Sequence, residues 1–294
     1  MLLSKVNVLL GKRSLIGRAA LALLMISGLG GEAVLAAEGA TSDLVNRRVL
    51  RVCADPANLP FSGKAEPGFE NKIADIVADE LGVKVEYTWF PQATGFIRRT
   101  LFAKRCDLVV GYAQGDEMVL NTNAYYRSAY ALVYPKGGKV DGATSLSDAK
   151  LKDAKIGLVA GSPPATIIVR EGLMGNVRPY QLVVDRRYDS PSELMIKDLK
   201  SGEIDVGILW GPIAGYFAEK NGGGDLVVAP LLNEGRQPRM TYRITMGVRQ
   251  QDAQWKRELN EIIAKRQADI DKALLEFQVP IIDEKDQVIT APRS

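Results

Sequence analysis

The chain has 294 residues, 46% of them apolar and 25% charged, with 38 basic against 35 acidic side chains and no histidine. That balance is ordinary for a water-soluble globular protein, and the length suits one large or two medium domains. The missing histidine excludes Ser-His and Cys-His nucleophile pairs and His-ligated zinc or haem.

Residues 1–37 read as a secretory signal peptide. Lys5, Lys12, Arg13 and Arg18 precede an apolar run over 19–26, and Val34-Leu35-Ala36-Ala37 offers a cleavage site after Ala36 or Ala37. The uninterrupted apolar run is shorter than the ~20 residues of a membrane span. No cysteine stands at the cleavage site to carry a lipid anchor. The mature protein is therefore expected to be soluble and outside the cytoplasm. Cleavage removes four basic residues and Glu32, leaving 34 side chains of each sign. The basic pI of about 8.7 thus belongs mostly to the leader, and nothing suggests the basic stripe of a nucleic-acid binder. In an oxidising compartment the isolated pair Cys53 and Cys106 is a disulfide candidate; the alternative is two buried free thiols.

Residues 49–82 set the pattern for the rest. The apolar run Val49-Leu50-Arg51-Val52-Cys53-Ala54 reads as a strand. Asp55-Pro56 turns the chain into a loop closed by Pro60-Phe61. Ile73, Ile76, Val77 and Leu81 then fall at helical spacing, and Gly82 stops the helix. A second strand is predicted over 84–90, a helix over 93–104, a buried strand over 106–111, and an extended run over 129–134. A second series follows: a strand over 155–160, a turn at Gly161-Ser162-Pro163-Pro164 and a helix over 165–171. Next come a helix capped by Ser190 with Pro191 at its first position, a buried strand over 204–210, a helix from Gly211-Pro212 and a strand over 226–231. A last extended run over 240–248 precedes an amphipathic helix or helix pair over 252–277, and the tail after Pro280 is expected on the surface. This predicts an α/β protein of two lobes joined by two strands: lobe 1 is 38–134 plus 245–294, and lobe 2 is 135–244. The cleft is expected where the loops at 55–61, 112–117, 161–164 and 210–212 converge, because open α/β sheets bind at the carboxyl ends of their strands.

LRVCADPANLPF, GFENKIADIVADELG, RCDLVVGYAQGDE, KIGLVAGS and EIDVGILWGP, in that order, resemble a type II periplasmic solute-binding protein. The run YAQGDE…NTN…YYRSAY, with GFENKIA and IDVGILWGPIAGYFA, resembles more narrowly the MxaJ/MoxJ and XoxJ group. These are accessory proteins of periplasmic methanol dehydrogenase. The resemblance implies a two-lobed body that closes by hinge motion. It further implies a non-catalytic role in assembly, maturation or activation of a dehydrogenase dependent on pyrroloquinoline quinone. The partner, not this chain, would carry the quinone and a calcium or lanthanide ion. The other reading is the substrate-binding component of an ABC transporter for a small solute other than an amino acid. Amino-acid-binding relatives place an arginine shortly after the third-strand glycine to clamp the α-carboxylate, and an aspartate at the end of the IDVGILW-type strand. Here those positions hold Met118 and Trp210.

Asp55, Asn58 and Phe61 read as cleft wall or as simple turn residues. Glu70 reads as a cleft carboxylate or as a first-turn acid favoured by the helix dipole. Tyr112, Gln114 and Asp116 follow a buried strand and are expected to face ligand or partner. Trp89 and Trp210 end strands on the cleft side, with core packing as the alternative. Ser162 heads a helix and could hold an anion, though Pro163-Pro164 removes two backbone donors there.

Overall fold

The computed structural model describes residues 44–235 and 238–293. The signal-peptide assignment at 1–37 lies outside the described residues.

The opening unit forms as its sequence predicts. Strand β1 (Val49–Ala54) runs into Asp55-Pro56, and a small hairpin of β2 (Ala57–Asn58) and β3 (Ser62–Gly63) reverses the chain. Helix α1 (Phe69–Leu81) buries Phe69, Ile73, Ala74 and Val77 and ends at Gly82, whose φ of 67° suits a residue without a Cβ. Strand β4 (Lys84–Trp89) returns parallel to β1, Val49 opposite Lys84 and Ala54 opposite Trp89.

The helix expected over 93–104 shrinks to one turn, α2 (Phe96–Arg99). Thr100 turns its hydroxyl back onto the Phe96 carbonyl (2.7 Å), a bond that competes with helix continuation, and Lys104 takes a left-handed φ of 58°. Phe96, Ile97 and Leu101 are still buried, so the apolar spacing was sound and the helix length was not. Strand β5 (Val109–Ala113) starts later than expected. Before it, Leu108 makes a single parallel bridge with Val52. That bridge sets Cys53 and Cys106 side by side, Cα atoms 5.5 Å apart, and they form a disulfide, which rules out the free-thiol alternative.

After β6 (Leu120–Asn121), β7 (Tyr126–Pro135) crosses the molecule, followed by β8 (Ile156–Val159), α3 (Pro164–Arg170) and β9 (Val177–Tyr180). Helix α4 (Pro191–Ser201) begins as the sequence indicates: Ser190 Oγ accepts from the Glu193 amide, Pro191 takes the first position, and Gly202 closes the helix with φ 75°. Then come β10 (Val206–Trp210), α5 (Gly211–Gly222), β11 (Leu226–Pro230), β12 (Thr241–Val248) and the helix pair α6 (Ala253–Lys265) and α7 (Gln267–Glu276). The main sheet has the order β5-β12-β7-β10-β8-β9, with β11 also on β7 and β6 on β12. β7 and β12 pair antiparallel, Thr241 opposite Ala129 and Ile244 opposite Tyr126.

Two sets of apolar side chains use this sheet. One joins β1 and α1 to the ends of β7 and β12 and to α6 and α7: Val52, Phe69, Ile73, Tyr126, Met246, Trp255, Leu259 and Leu274. The other lies around β7, β8 and β10, with Leu132, Ile156 and Ile208 on one face and Ala131, Val133 and Leu209 on the opposite one, as strand alternation requires. The tail corrects its prediction: Ile281 and Ile282 are buried in a hairpin of β13 (Ile281–Ile282) and β14 (Val288–Ile289). Arg293 pairs with buried Asp271 at 2.5 Å. A polar composition concealed two apolar anchors. Among the described residues no helix is long and apolar enough to cross a membrane.

Candidate functional site

A cavity of about 510 Å³ opens at the carboxyl ends of β8 and β10. Its walls come from 56–59 after β1, from Tyr130 on β7, from Ser162 after β8, from Trp210, Ile213 and Phe217 around the start of α5, and from the long connection between β9 and α4. Strand ends meet there because β8 and β10 are parallel neighbours and β1 ends in a loop aimed at the same space.

Asp55 does not line this cavity; it is buried beside Pro56 and Arg186, which do. Its Oδ1 accepts from the Ala57 amide (2.9 Å) and its Oδ2 from the Gln92 amide (2.7 Å). Arg186 Nη1 approaches Oδ2 at 3.2 Å. Asn58 lines the cavity and donates from Nδ2 to Gln92 Oε1 (2.9 Å). Ser162 lines it too, but its hydroxyl donates to the Val159 carbonyl (2.6 Å), so it serves the turn rather than an anion. Trp210 packs edge-on against Tyr130 and Tyr242, centroids 5.4 and 5.6 Å away. Both crossing strands thus press an aromatic side chain onto the end of β10.

The other expected cleft residues lie elsewhere. Phe61 packs on Phe69, centroids 5.3 Å apart, at the rim of the first core. Trp89 stacks on Tyr87 at 4.6 Å. The Tyr112 hydroxyl donates to Asp116 (3.0 Å), while Asp116 also accepts from the Met118 amide (2.9 Å): the pair organises its own loop. Gln114 lines a different cavity, of about 540 Å³, with Arg127, Tyr242 and Arg243. The loop at 112–117 therefore does not converge with the others, because β12 inserts between β5 and β7. The two aromatic strand residues that line the first cavity, Tyr130 and Trp210, meet Tyr242 of the second, so one aromatic cluster separates the two spaces.

Glu70 does not line the cavity; it stands in the first turn of α1, where the helix-dipole reading put it. Its carboxyl is buried in the first turn of α1 against Gly111, where it leaves no room for a Cβ. It has no hydrogen-bond partner among the described residues. Burial, and then the charge of Asp55, push it up to about 8. Burial also raises the neighbouring Tyr125 and Tyr126 phenols well above their usual range.

Sequence reading missed the connection at 181–190, which forms one side of the cavity and supplies Arg186. The signal was present: ten residues without helical or strand periodicity, containing Asp185-Arg186-Arg187-Tyr188-Asp189, between a strand end and a well-capped helix start. Met118, at the position of the amino-acid clamp arginine, packs on the apolar cluster around the Cys53–Cys106 bridge. Among the described residues no group of three or more Cys, Asp or Glu side chains is placed to hold a metal ion.

The strand order, the two crossing strands and the cleft at the strand ends define a type II periplasmic-binding-protein fold. The crystal structure of periplasmic binding protein XoxJ from Methylobacterium extorquens AM1 matches with a TM-score of 0.68 and 44% identity, covering 80% of this chain and 100% of that one. MxaJ from Methlophaga aminisulfidivorans MPT matches with a TM-score of 0.67 and 24% identity over 79% of this chain and 100% of its own. An ancestral cationic amino acid solute-binding protein shares the fold at 22% identity, with a TM-score of 0.63. No family model matches the sequence. Protein MoxJ of Methylorubrum extorquens is 30% identical over 263 residues, which are 84% of this chain and 85% of that protein. The chain belongs to the MoxJ, MxaJ and XoxJ family of periplasmic-binding-protein-like proteins.

Proposed function

We propose that this chain is a non-catalytic periplasmic accessory protein of a methanol dehydrogenase that depends on pyrroloquinoline quinone. It assists that enzyme's assembly, maturation or activation. Its partner is the dehydrogenase, which carries the quinone and a calcium or lanthanide ion; the chain itself carries no cofactor. The observation that carries this reading is the relationship to MoxJ along most of both chains. The site is consistent with it. Both ends of an amino-acid clamp are replaced, one by a packed methionine and the other by a tryptophan in an aromatic cluster, and the cavity wall mixes apolar and aromatic side chains such as Leu209, Trp210 and Phe217 with polar and charged ones such as Arg186 and Glu193. A cleft without that clamp suits a protein side chain or loop better than a zwitterion.

The test is capture from the periplasm of methanol-grown cells with the tagged mature chain, followed by an activity assay of the captured enzyme. The expected result is co-purification of the dehydrogenase and a rise in its activity when the chain is added. No capture, together with saturable thermal stabilisation by a small solute, would overturn this reading in favour of a transport receptor.

A further inference from the structure

The connection at 181–190 lies along the cavity but is poorly buried. Leu182, Val183 and Tyr188 are 57%, 78% and 80% exposed. The backbone bonds of Tyr188 and Asp189 run to the carbonyl of Asp185, within the loop itself. The charge of Arg187 is also used locally, its Nε 2.9 Å from Asp185 Oδ1. Arg186 points the other way, to Asp55, a residue 131 positions earlier in the chain. Among the described residues, that is the one ion pair that holds this poorly buried arm to the first part of the molecule.

The receiving end is far more finished than the arm. Asp55 is 4% exposed. Two backbone amides, one on each carboxylate oxygen, fix its plane, and Oδ2 also meets Arg186, a residue of the cavity wall. Neutral amides do not cancel its charge, and a carboxylate this buried calls for a cation. A planar guanidinium fork matches a carboxylate plane fixed in this way better than an ammonium does. The arm meets this rigid acceptor with one nitrogen only, from a side chain 40% exposed.

We propose that Asp55 anchors a guanidinium site that this chain fills with its own Arg186. The loop at 181–190 is an internal ligand. A guanidinium group from outside, on a free solute or on an arginine of a partner protein, enters when the arm lifts. This inference goes beyond the accessory role and does not depend on it.

Calorimetric titration of the mature protein tests it, with agmatine as a free solute and N-acetylarginine amide as a mimic of a partner's side chain. Three proteins are compared: wild type, Arg186→Gln, and Arg186→Gln combined with Asp55→Asn. Removing the arm's charge should tighten binding of at least one probe tenfold or more over wild type, and the second substitution should abolish it. Whichever probe binds more tightly identifies the source of the group. Equal affinity in wild type and Arg186→Gln, no binding to Arg186→Gln, or binding that survives Asp55→Asn each refutes the proposal. Hydrogen exchange gives a readout that needs no second variant. Amides at 181–190 should exchange faster in Arg186→Gln and stay fast when the probe binds, since the probe replaces the arm; unchanged exchange refutes the latch.

Discussion

The region around β1 and α1 and the region around β8 and α4 face each other across the cavity and are held together by different means. The first is cross-linked by Cys53–Cys106. Beside the bridge, Asp107 receives Arg51 through Nε and Nη2, both at 2.7 Å, and Arg249 at 2.7 Å, while Trp255 donates to its carbonyl. The second region has no such bridge among the described residues. Its buried polar side chains over 156–210 are Ser162 and Asp198, and apolar packing does the rest. Among the described residues, six of the nine exposed large apolar side chains also fall in this stretch: Val169, Met174, Leu182, Val183, Tyr188 and Leu194. The contrast separates a fixed acceptor from an adjustable face. A binding surface that must move belongs to the less stable part of a molecule.

Three experiments sharpen or break this contrast. The largest effect should come from Cys53→Ser with Cys106→Ser. The bridge closes a loop of 53 residues, for which chain entropy gives about 4 kcal/mol of stability. Denaturant melts with and without reductant should show that loss, and an unchanged midpoint would place the rigidity of the first region elsewhere.

Next is Glu70→Gln. The folded protein keeps Glu70 protonated up to about pH 8, whereas the unfolded chain releases that proton near 4.5. Above the lower value the unfolded state therefore gains, and stability should fall by about 1.4 kcal/mol per pH unit until the upper value is reached. The glutamine variant should lose that slope and be the more stable protein at pH 7 to 8. Denaturant midpoints measured from pH 5 to 8.5 decide it, and parallel curves for both proteins would show that the carboxyl has found a partner.

The smallest effect is expected from Val183→Ser and Tyr188→Ser, which expose no new core. Each should shift stability by less than about 0.5 kcal/mol. A larger loss in thermal melts would mean that the arm is held by packing and not by Arg186.

Much of the architecture is legible along the chain because its causes are local. Alternating apolar runs, Gly82 and Gly202 at helix ends, and Ser190-Pro191 at a helix start act within a few residues, and each element formed where these signals stand. The resemblance carried by the ordered motifs supplied the two-lobed class. Where locality failed, the prediction failed with it. The helix after Ala93 lost most of its length to a hydroxyl bonding back to Phe96. The tail hid Ile281 and Ile282 among polar neighbours.

The site was less legible. Asn58, Ser162 and Trp210 line the cavity and Asp55 binds Arg186 of its wall, whereas Phe61, Glu70, Trp89, Tyr112, Gln114 and Asp116 do not line it. All of them stand near strand ends, in the turns that follow strands or at helix starts, so their sequence settings look alike. By itself the sequence determined which segments become strands and helices, which cysteines could pair, and which chemistry histidine could not perform. Only the tertiary structure decided which strand ends share a cavity, because that depends on β12 separating β5 from β7. It alone buried Glu70 without a hydrogen-bond partner among the described residues and brought Arg186 to Asp55, since burial and long-range ion pairing depend on residues far apart in the chain and leave no periodic trace in it.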